Sequence, residues 1–138
     1  MWLAAVAIAP SYATAQSMST AFDGRWAVSL TCEDVQDKRA LVKGYTFNFF
    51  ADIRDGKLMA QYGQSGLPSS LTMAGVVQRD GNVEITVNGR TGNPEYTVGR
   101  VQPSTPYSYR MRGKLTDTSG KATRIELRPC EATFFRQQ

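Results

Sequence analysis

The side chains that carry most nucleophilic and metal chemistry are scarce in this chain of 138 residues. It contains no histidine, which excludes Ser-His and Cys-His nucleophiles and imidazole metal ligands. Its two cysteines are too few for an all-cysteine zinc site. We therefore expect neither a bound metal nor another cofactor.

The carboxylates do not form a recognisable acid–base pair. Asp55, Asp80 and Asp117 belong to turn sequences. Glu84 and Glu126 are predicted on the outer face of strands, where nothing would raise a carboxyl pKa for proton transfer. No S-x-x-K spacing supplies a serine with a lysine base. The sequence therefore predicts a protein that is not an enzyme.

Tyrosines are the first candidate binding residues. Tyr45, Tyr62, Tyr107 and Tyr109 all fall on the inward face of predicted strands. A buried phenol hydroxyl needs a hydrogen-bond partner, so tyrosines near one mouth of a barrel can orient a ligand. The alternative is that aromatic side chains simply fill the barrel interior.

A row of cations, the basic stripe, is the second candidate. It is predicted on the outer face of the last hairpin and could meet an anionic glycan, a lipid head group or an acidic protein. A solvated outer face is the alternative interpretation. Nucleic acid is not expected as a partner, because no exposed aromatic residues alternate with the cations. The stripe consists of Arg110, Arg112, Lys114, Arg124 and Arg128, with Glu126 as its one acid.

The N-terminus has the pattern of a cleaved export signal. An uncharged apolar run over residues 1–9 is followed by Ala13-Thr14-Ala15, the small residues that signal peptidase requires, although no Lys or Arg precedes the run. The run is about half of the ~20 residues that span a bilayer, so a transmembrane anchor is not expected. We predict a bacterial periplasmic or secreted protein with a signal peptide at residues 1–15, a flexible leader at 16–22 and one domain at 23–138.

Export also bears on Cys32 and Cys130. Oxidising compartments keep such a pair bridged, and neither residue lies in a C-x-x-C motif that would indicate a reactive thiol. A disulfide between them would close a loop of about 99 residues and stabilise the fold by roughly 4–5 kcal/mol on the chain-entropy model.

Apolar and polar residues alternate with period two through nearly every segment after residue 23, which predicts short strands. Asp55-Gly56 and Asp80-Gly81 are typical of hairpin turns. The weakest predicted strand contains Tyr96 and Val98, and residues 33–42 could form a turn or two of helix. The pattern favours an all-β, eight-stranded antiparallel up-and-down barrel, since closure removes exposed strand edges.

In such a barrel the first and last strands are neighbours. We predict a last strand over residues 122–136 with a bulge at Pro129, which needs no ladder donor there. Ile125 and Leu127 then face inward before the bulge, and Cys130, Ala132 and Phe134 after it. The resulting register places Cys32 opposite Cys130, Leu30 opposite Ala132, Val28 opposite Phe134 and Trp26 opposite Arg136.

The segment Phe22-Asp23-Gly24-Arg25-Trp26 resembles the G-x-W motif of lipocalin-like barrels, the calycin group that includes avidins and small bacterial protease inhibitors. In that group a basic residue of the last strand lies across the tryptophan and closes the barrel floor, and Arg136 has the matching position. Such cation–π stacking contributes roughly 0.5–2 kcal/mol. The chain has neither the avidin biotin-binding pattern nor a lipocalin T-D-Y motif, so the resemblance implies an architecture without a particular ligand.

Two functional hypotheses follow. The first is a non-catalytic exported barrel that binds a small ligand in its lumen or mouth. The alternative is a macromolecular interaction module, such as an inhibitor of a secreted hydrolase or a cell-envelope domain. It would act through the basic stripe or through the loops at residues 63–70 and 90–95.

Overall fold

The computed structural model describes residues 4, 5, 7, 19–38 and 40–138. The alternating pattern forms ten strands in these ranges, and the longer strands bury every second residue. The strands are β1 Gly24–Cys32, β2 Val35–Gln36, β3 Leu41–Val42, β4 Tyr45–Arg54, β5 Lys57–Tyr62, β6 Leu71–Val77, β7 Asn82–Arg90, β8 Pro106–Leu115, β9 Ser119–Arg124 and β10 Cys130–Arg136.

Eight of the strands close into a barrel in which each strand pairs antiparallel with its neighbours in sequence. The order around the barrel is β1-β10-β9-β8-β7-β6-β5-β4, so the first and last strands complete the circle. This confirms the predicted all-β, eight-stranded up-and-down barrel. β2 and β3 form a separate two-stranded hairpin, so the helical turn predicted for residues 33–42 is wrong.

The predicted register of the seam between β1 and β10 is confirmed. Cys32 lies opposite Cys130, and the two residues form a disulfide. The same ladder pairs Leu30 with Ala132, Val28 with Phe134, and Trp26 with Arg136. Its inward side chains are buried, apart from a partly exposed Arg136.

The continuous last strand over residues 122–136 is wrong. The chain forms two strands there, because β9 ends at Arg124 and pairs antiparallel with β10 as a hairpin. Leu127 has a φ of 65°, which turns the connection between the two strands. Ile125 and Leu127, predicted to face inward, are exposed by 41% and 88%.

The predicted strand around Tyr96 and Val98 is also wrong. The chain forms a 3₁₀ helix there, Pro94–Tyr96, whose first turn is capped by the Asn93 side chain. Proline fixes a helical φ at the start of this turn, which competes with the extended conformation. One predicted strand is therefore lost and another is divided, which leaves the number of barrel strands at eight.

One end of the barrel, the floor, is closed by side chains from both chain ends. The Arg136 guanidinium lies 5.5 Å from the Trp26 ring centroid and donates hydrogen bonds to the carbonyls of Ala21, Asp23 and Asp117. Phe22, which was assigned to the leader, is buried, and its carbonyl accepts a 2.9 Å bond from the Trp26 indole.

The signal peptide prediction lies outside the described residues except at positions 4, 5 and 7. Among the described residues, no helix reaches the length and apolar character that a bilayer crossing demands.

Candidate functional site

The two ends of the barrel differ in the length of their connections. At the floor, β4 joins β5 through Asp55 and Gly56 alone, and the other floor turns are also short. The opposite end, the mouth, carries every long connection of the barrel, at residues 33–44, 63–70, 91–105 and 125–129. Loops positioned by a rigid barrel commonly carry binding sites, so a binding site is expected at the mouth.

The lower half of the barrel is filled by its own side chains. Trp26, Leu58, Val83, Leu115 and Phe134 are buried there and belong to one hydrophobic cluster. The interior is therefore not an open channel, because packing closes it from the floor upward.

Above this packed layer lies a cavity of about 880 Å³ that opens at the mouth. Ligand pockets are typically about 300–1,000 Å³, so the cavity can hold a small molecule. All four mouth connections contribute to its wall, including the two loops predicted as binding elements, residues 63–70 and 90–95. Its lining includes Val35, Tyr45, Phe47, Ser69, Arg90, Thr91, Asn93, Tyr96, Val101, Tyr107, Tyr109, Arg124, Leu127 and Arg128.

Three of the four predicted tyrosines line the cavity. Tyr45 lies on β4, and Tyr107 and Tyr109 lie on β8 with their rings stacked at 5.9 Å. The fourth, Tyr62, stands behind Phe47 and stacks on it at 4.2 Å, so it supports the wall without lining it.

β4 and β8 face each other across the barrel, since four steps separate them in either direction around the strand order. Each strand contributes two aromatic side chains to the cavity wall: Tyr45 and Phe47 from β4, Tyr107 and Tyr109 from β8. The cavity therefore has aromatic walls on opposite sides, an environment that suits a planar or apolar ligand body.

The hydroxyls of the tyrosines are available to a ligand. Within the described ranges, the Tyr45, Tyr107 and Tyr109 hydroxyls have no protein hydrogen-bond partner, and none is sealed from solvent. Burial raises the pKa of all three phenols, so they remain neutral donors at neutral pH. They can accept from or donate to a polar group that enters the cavity.

Arg128 is a structural residue of the mouth. It is buried, and its guanidinium donates to the carbonyls of Glu33, Lys43 and Tyr96. It also lies 5.2 Å from the Tyr45 ring centroid. Burial lowers the pKa of Arg128, but an arginine with these acceptors stays protonated. The side chain thus ties two mouth loops to the end of the barrel.

Arg124 has a different environment. Its guanidinium carbon lies 4.2 Å from the Tyr109 ring centroid, inside the cavity. Its Nε is shielded from solvent and has no hydrogen-bond partner in the described part of the chain. No ion pair of Arg124 is found there either.

The outward positions predicted for Arg124 and Arg128 in the basic stripe are therefore wrong. The prediction assumes one strand that alternates inward and outward over residues 122–136. Because the chain reverses after Arg124, this alternation does not continue, and both arginines are assigned to the wrong face. Arg110, Arg112 and Lys114 are exposed on β8 as predicted, and Arg112 forms an exposed ion pair with Glu84 at 3.4 Å. No pattern in the sequence indicates that Arg90, Arg124 and Arg128 line one cavity.

No group of three or more acidic, cysteine or histidine side chains converges as a metal site in the ranges described. Comparisons of the chain with protein-family models, with curated proteins and with solved structures find no match. The structure thus defines a small closed β-barrel with a mouth cavity, an architecture consistent with the calycin type.

Proposed function

We propose that the protein is a non-catalytic binding protein that holds a small ligand in its mouth cavity. The observation that carries this proposal is the cavity of about 880 Å³ above a packed floor, walled by aromatic rings. A barrel built only for stability would fill this space, because unfilled apolar volume lowers stability. The tyrosine hydroxyls without protein partners supply the polar contacts that orient a ligand.

The positions of the wall residues also support binding. Tyr45, Phe47, Tyr107 and Tyr109 lie on paired strands, which hold side chains more precisely than loops do. The mouth loops then cover the ligand from above. We also propose that the protein works in an oxidising compartment after export, which the Cys32–Cys130 disulfide supports.

A titration with N-phenyl-1-naphthylamine tests the proposal, since this uncharged fluorophore brightens in apolar sites. We expect saturable one-to-one binding, and at least a tenfold loss of affinity when Tyr107 and Tyr109 are both changed to Ala, because a large part of one wall is removed. The Tyr107→Phe/Tyr109→Phe variant keeps the rings and should retain binding. Circular dichroism and thermal melts check that each variant folds.

Phe135→Ser is the matched control, because Phe135 is 58% exposed on the outer wall and is an alternative attachment point for an apolar dye. It should leave the affinity unchanged. Absence of saturable binding, or binding that needs Phe135 and ignores the two tyrosines, would refute a mouth site. Arg110→Glu/Arg112→Glu should also have no effect, since both residues are on the outer face.

A macromolecular module is the second candidate, and the rim of the mouth favours it. Exposed apolar side chains project from all four mouth connections: Leu41 by 50%, Leu67 by 50%, Val98 by 50% and Leu127 by 88%. Exposed apolar residues around a concave site are typical of protein contacts. A partner captured by the wild type and lost with Leu67→Ser, while dye binding is kept, would support this candidate, because Leu67 is exposed on a mouth loop and does not line the cavity.

A further inference from the structure

The charged side chains described in the lining of the mouth cavity are all positive. Within the described ranges, Arg90, Arg124 and Arg128 line it, and no carboxylate does. Two of the three guanidiniums already have acceptors, since Arg128 binds three main-chain carbonyls and Arg90 donates to the Ser104 carbonyl at 3.0 Å. Arg124 is the cavity guanidinium for which the described residues supply no acceptor at all.

The position of Arg124 adds to this argument. It is the last residue of β9 and pairs with Met111 of β8, which fixes its backbone beside the aromatic wall. Its guanidinium lies against Tyr109, a contact that orients the planar group without using any of its N–H donors. A partly buried guanidinium with neither an ion pair nor a carboxylate beside it among the described residues is unfavourable, and an anion that binds its terminal N–H groups in the cavity would lower that cost.

Resting on the proposed function, we propose that the ligand is a small organic monoanion with an aromatic or apolar body. The body lies between the walls formed by Tyr45 and Phe47 on one side and Tyr107 and Tyr109 on the other. A single oxyanion group, such as a carboxylate, accepts hydrogen bonds from Arg124. One unpaired guanidinium matches one such group, and its planar fork can bind both oxygens at once.

Two dyes that share a body and differ in charge test this inference. 1-Anilinonaphthalene-8-sulfonate carries an anionic group that N-phenyl-1-naphthylamine lacks. We expect Arg124→Met to weaken sulfonate binding about tenfold, the effect of losing a charge-assisted hydrogen bond. The loss for the uncharged dye should be several times smaller than the loss for the sulfonate dye, because methionine keeps most of the packing against Tyr109 and removes the charged group.

Arg112→Met is the matched control, since Arg112 is an exposed arginine on the neighbouring strand. It should alter neither affinity. Arg124→Lys keeps the positive charge but loses the planar guanidinium, so it should weaken sulfonate binding by a smaller factor. It replaces the methionine variant in the test if that variant does not fold. Sodium 1-naphthoate should displace the sulfonate dye from the wild type, whereas uncharged 1-naphthalenemethanol at the same concentration should not.

The outcomes separate the two proposals. If the uncharged dye binds but both dyes respond equally to Arg124→Met, the mouth site stands and the anionic class is wrong. If Arg112→Met weakens binding of the sulfonate dye, the sulfonate group binds on the outer face of the barrel, and the inference also fails. If neither dye binds the folded wild type, the proposed function itself fails.

Discussion

Arg124 and Arg128 are four positions apart, but their hydrogen-bond surroundings differ. Arg128 is surrounded by main-chain carbonyls of the mouth loops, whereas Arg124 faces an aromatic ring and the open cavity. A buried guanidinium with three carbonyl acceptors has most of its donors satisfied and holds structure together. A guanidinium without acceptors is available to a ligand.

Replacement of Arg128 should therefore destabilise the fold. Arg128→Met removes hydrogen bonds to the carbonyls of Glu33, Lys43 and Tyr96 and leaves them without that donor. Bonds to charged groups contribute about 1.5–3 kcal/mol, and unsatisfied buried acceptors cost a similar amount, so we expect a loss of about 2–4 kcal/mol of unfolding free energy. The free energy of unfolding is measured by denaturation in guanidinium chloride, monitored by tryptophan fluorescence.

The same substitution at Arg112 is the control for Arg128. Within the described residues, Arg112 forms one ion pair, an exposed one with Glu84, and exposed pairs contribute about 0–1 kcal/mol. Hydrogen exchange should also rise around residues 33–44 and 94–97 in the Arg128 variant alone. Equal stability of the two variants would mean that Arg128 is not what fastens the mouth loops.

The side-chain directions of the site were only partly predictable. The tyrosines lie in regular strands, where period-two alternation fixes the face, and Tyr107 and Tyr109 point inward as expected. Arg124 and Arg128 lie at a strand end and in a bend, where alternation stops. The chain reversal at residues 125–129, which follows Arg124 and contains Arg128, decides their direction, and that reversal depends on the pairing of β9 with β10.

At the level of strands, Gly89 determines where Tyr107 can lie. The two residues are opposite each other in the β7–β8 ladder. A Cβ atom at position 89 would lie 2.4 Å from the Tyr107 hydroxyl and 2.8 Å from the Ser70 carbonyl oxygen. The glycine thus leaves the space that the Tyr107 ring occupies in the cavity wall.

Gly89→Ala should displace Tyr107 and weaken binding of the uncharged dye about tenfold. The expected reason is a changed cavity shape, since 2.4 Å is far below van der Waals contact and the tyrosine must move. Asn88→Ala, one residue earlier and exposed on the outer face, is the control. An affinity equal to that of wild type in a folded Gly89→Ala protein would show that Tyr107 does not shape the site.

The strand pairing itself was predictable where an independent constraint existed. Joining Cys32 to Cys130 fixed the β1–β10 register, because a one-residue slip would have turned the apolar side chains outward. No such constraint marked β9. Its inward residues include Gly120 and Ala122, and a Cβ atom at position 120 would lie 2.2 Å from the Leu115 side chain. Leu115 thus requires a small residue at position 120, and since Ala122 is small as well, the inward positions of β9 lack the large apolar side chains that identify a strand.

In the molecule as a whole, the packed core and the open cavity occupy opposite ends of the barrel. The floor combines short turns with fully buried large side chains, including Trp26 and Phe134. The mouth combines long loops with half-buried aromatic rings around open space. Because the packed end holds the strands in place, the open end can keep unfilled apolar surface that would otherwise collapse.

The β1–β10 seam, which joins the two ends of the chain, is fastened at both ends. The Cys32–Cys130 disulfide lies at the mouth, and the contact between Trp26 and Arg136 lies at the floor. The disulfide joins residues 98 positions apart, so its removal frees nearly the whole barrel sequence in the unfolded state. The chain-entropy model then predicts a loss of about 4–5 kcal/mol.

Cys32→Ala/Cys130→Ala should therefore lower the free energy of unfolding by about that amount and leave the strand content unchanged. Denaturant unfolding of the variant, compared with oxidised and reduced wild type, measures it, and the variant should match the reduced protein. Dye affinity should fall as well, because Cys32 is opposite Tyr45 in the β1–β4 ladder and the bond steadies that wall of the cavity. A loss below 1 kcal/mol would mean that the floor contact and the strand ladder close the barrel without the bond, and that the open mouth needs no covalent support.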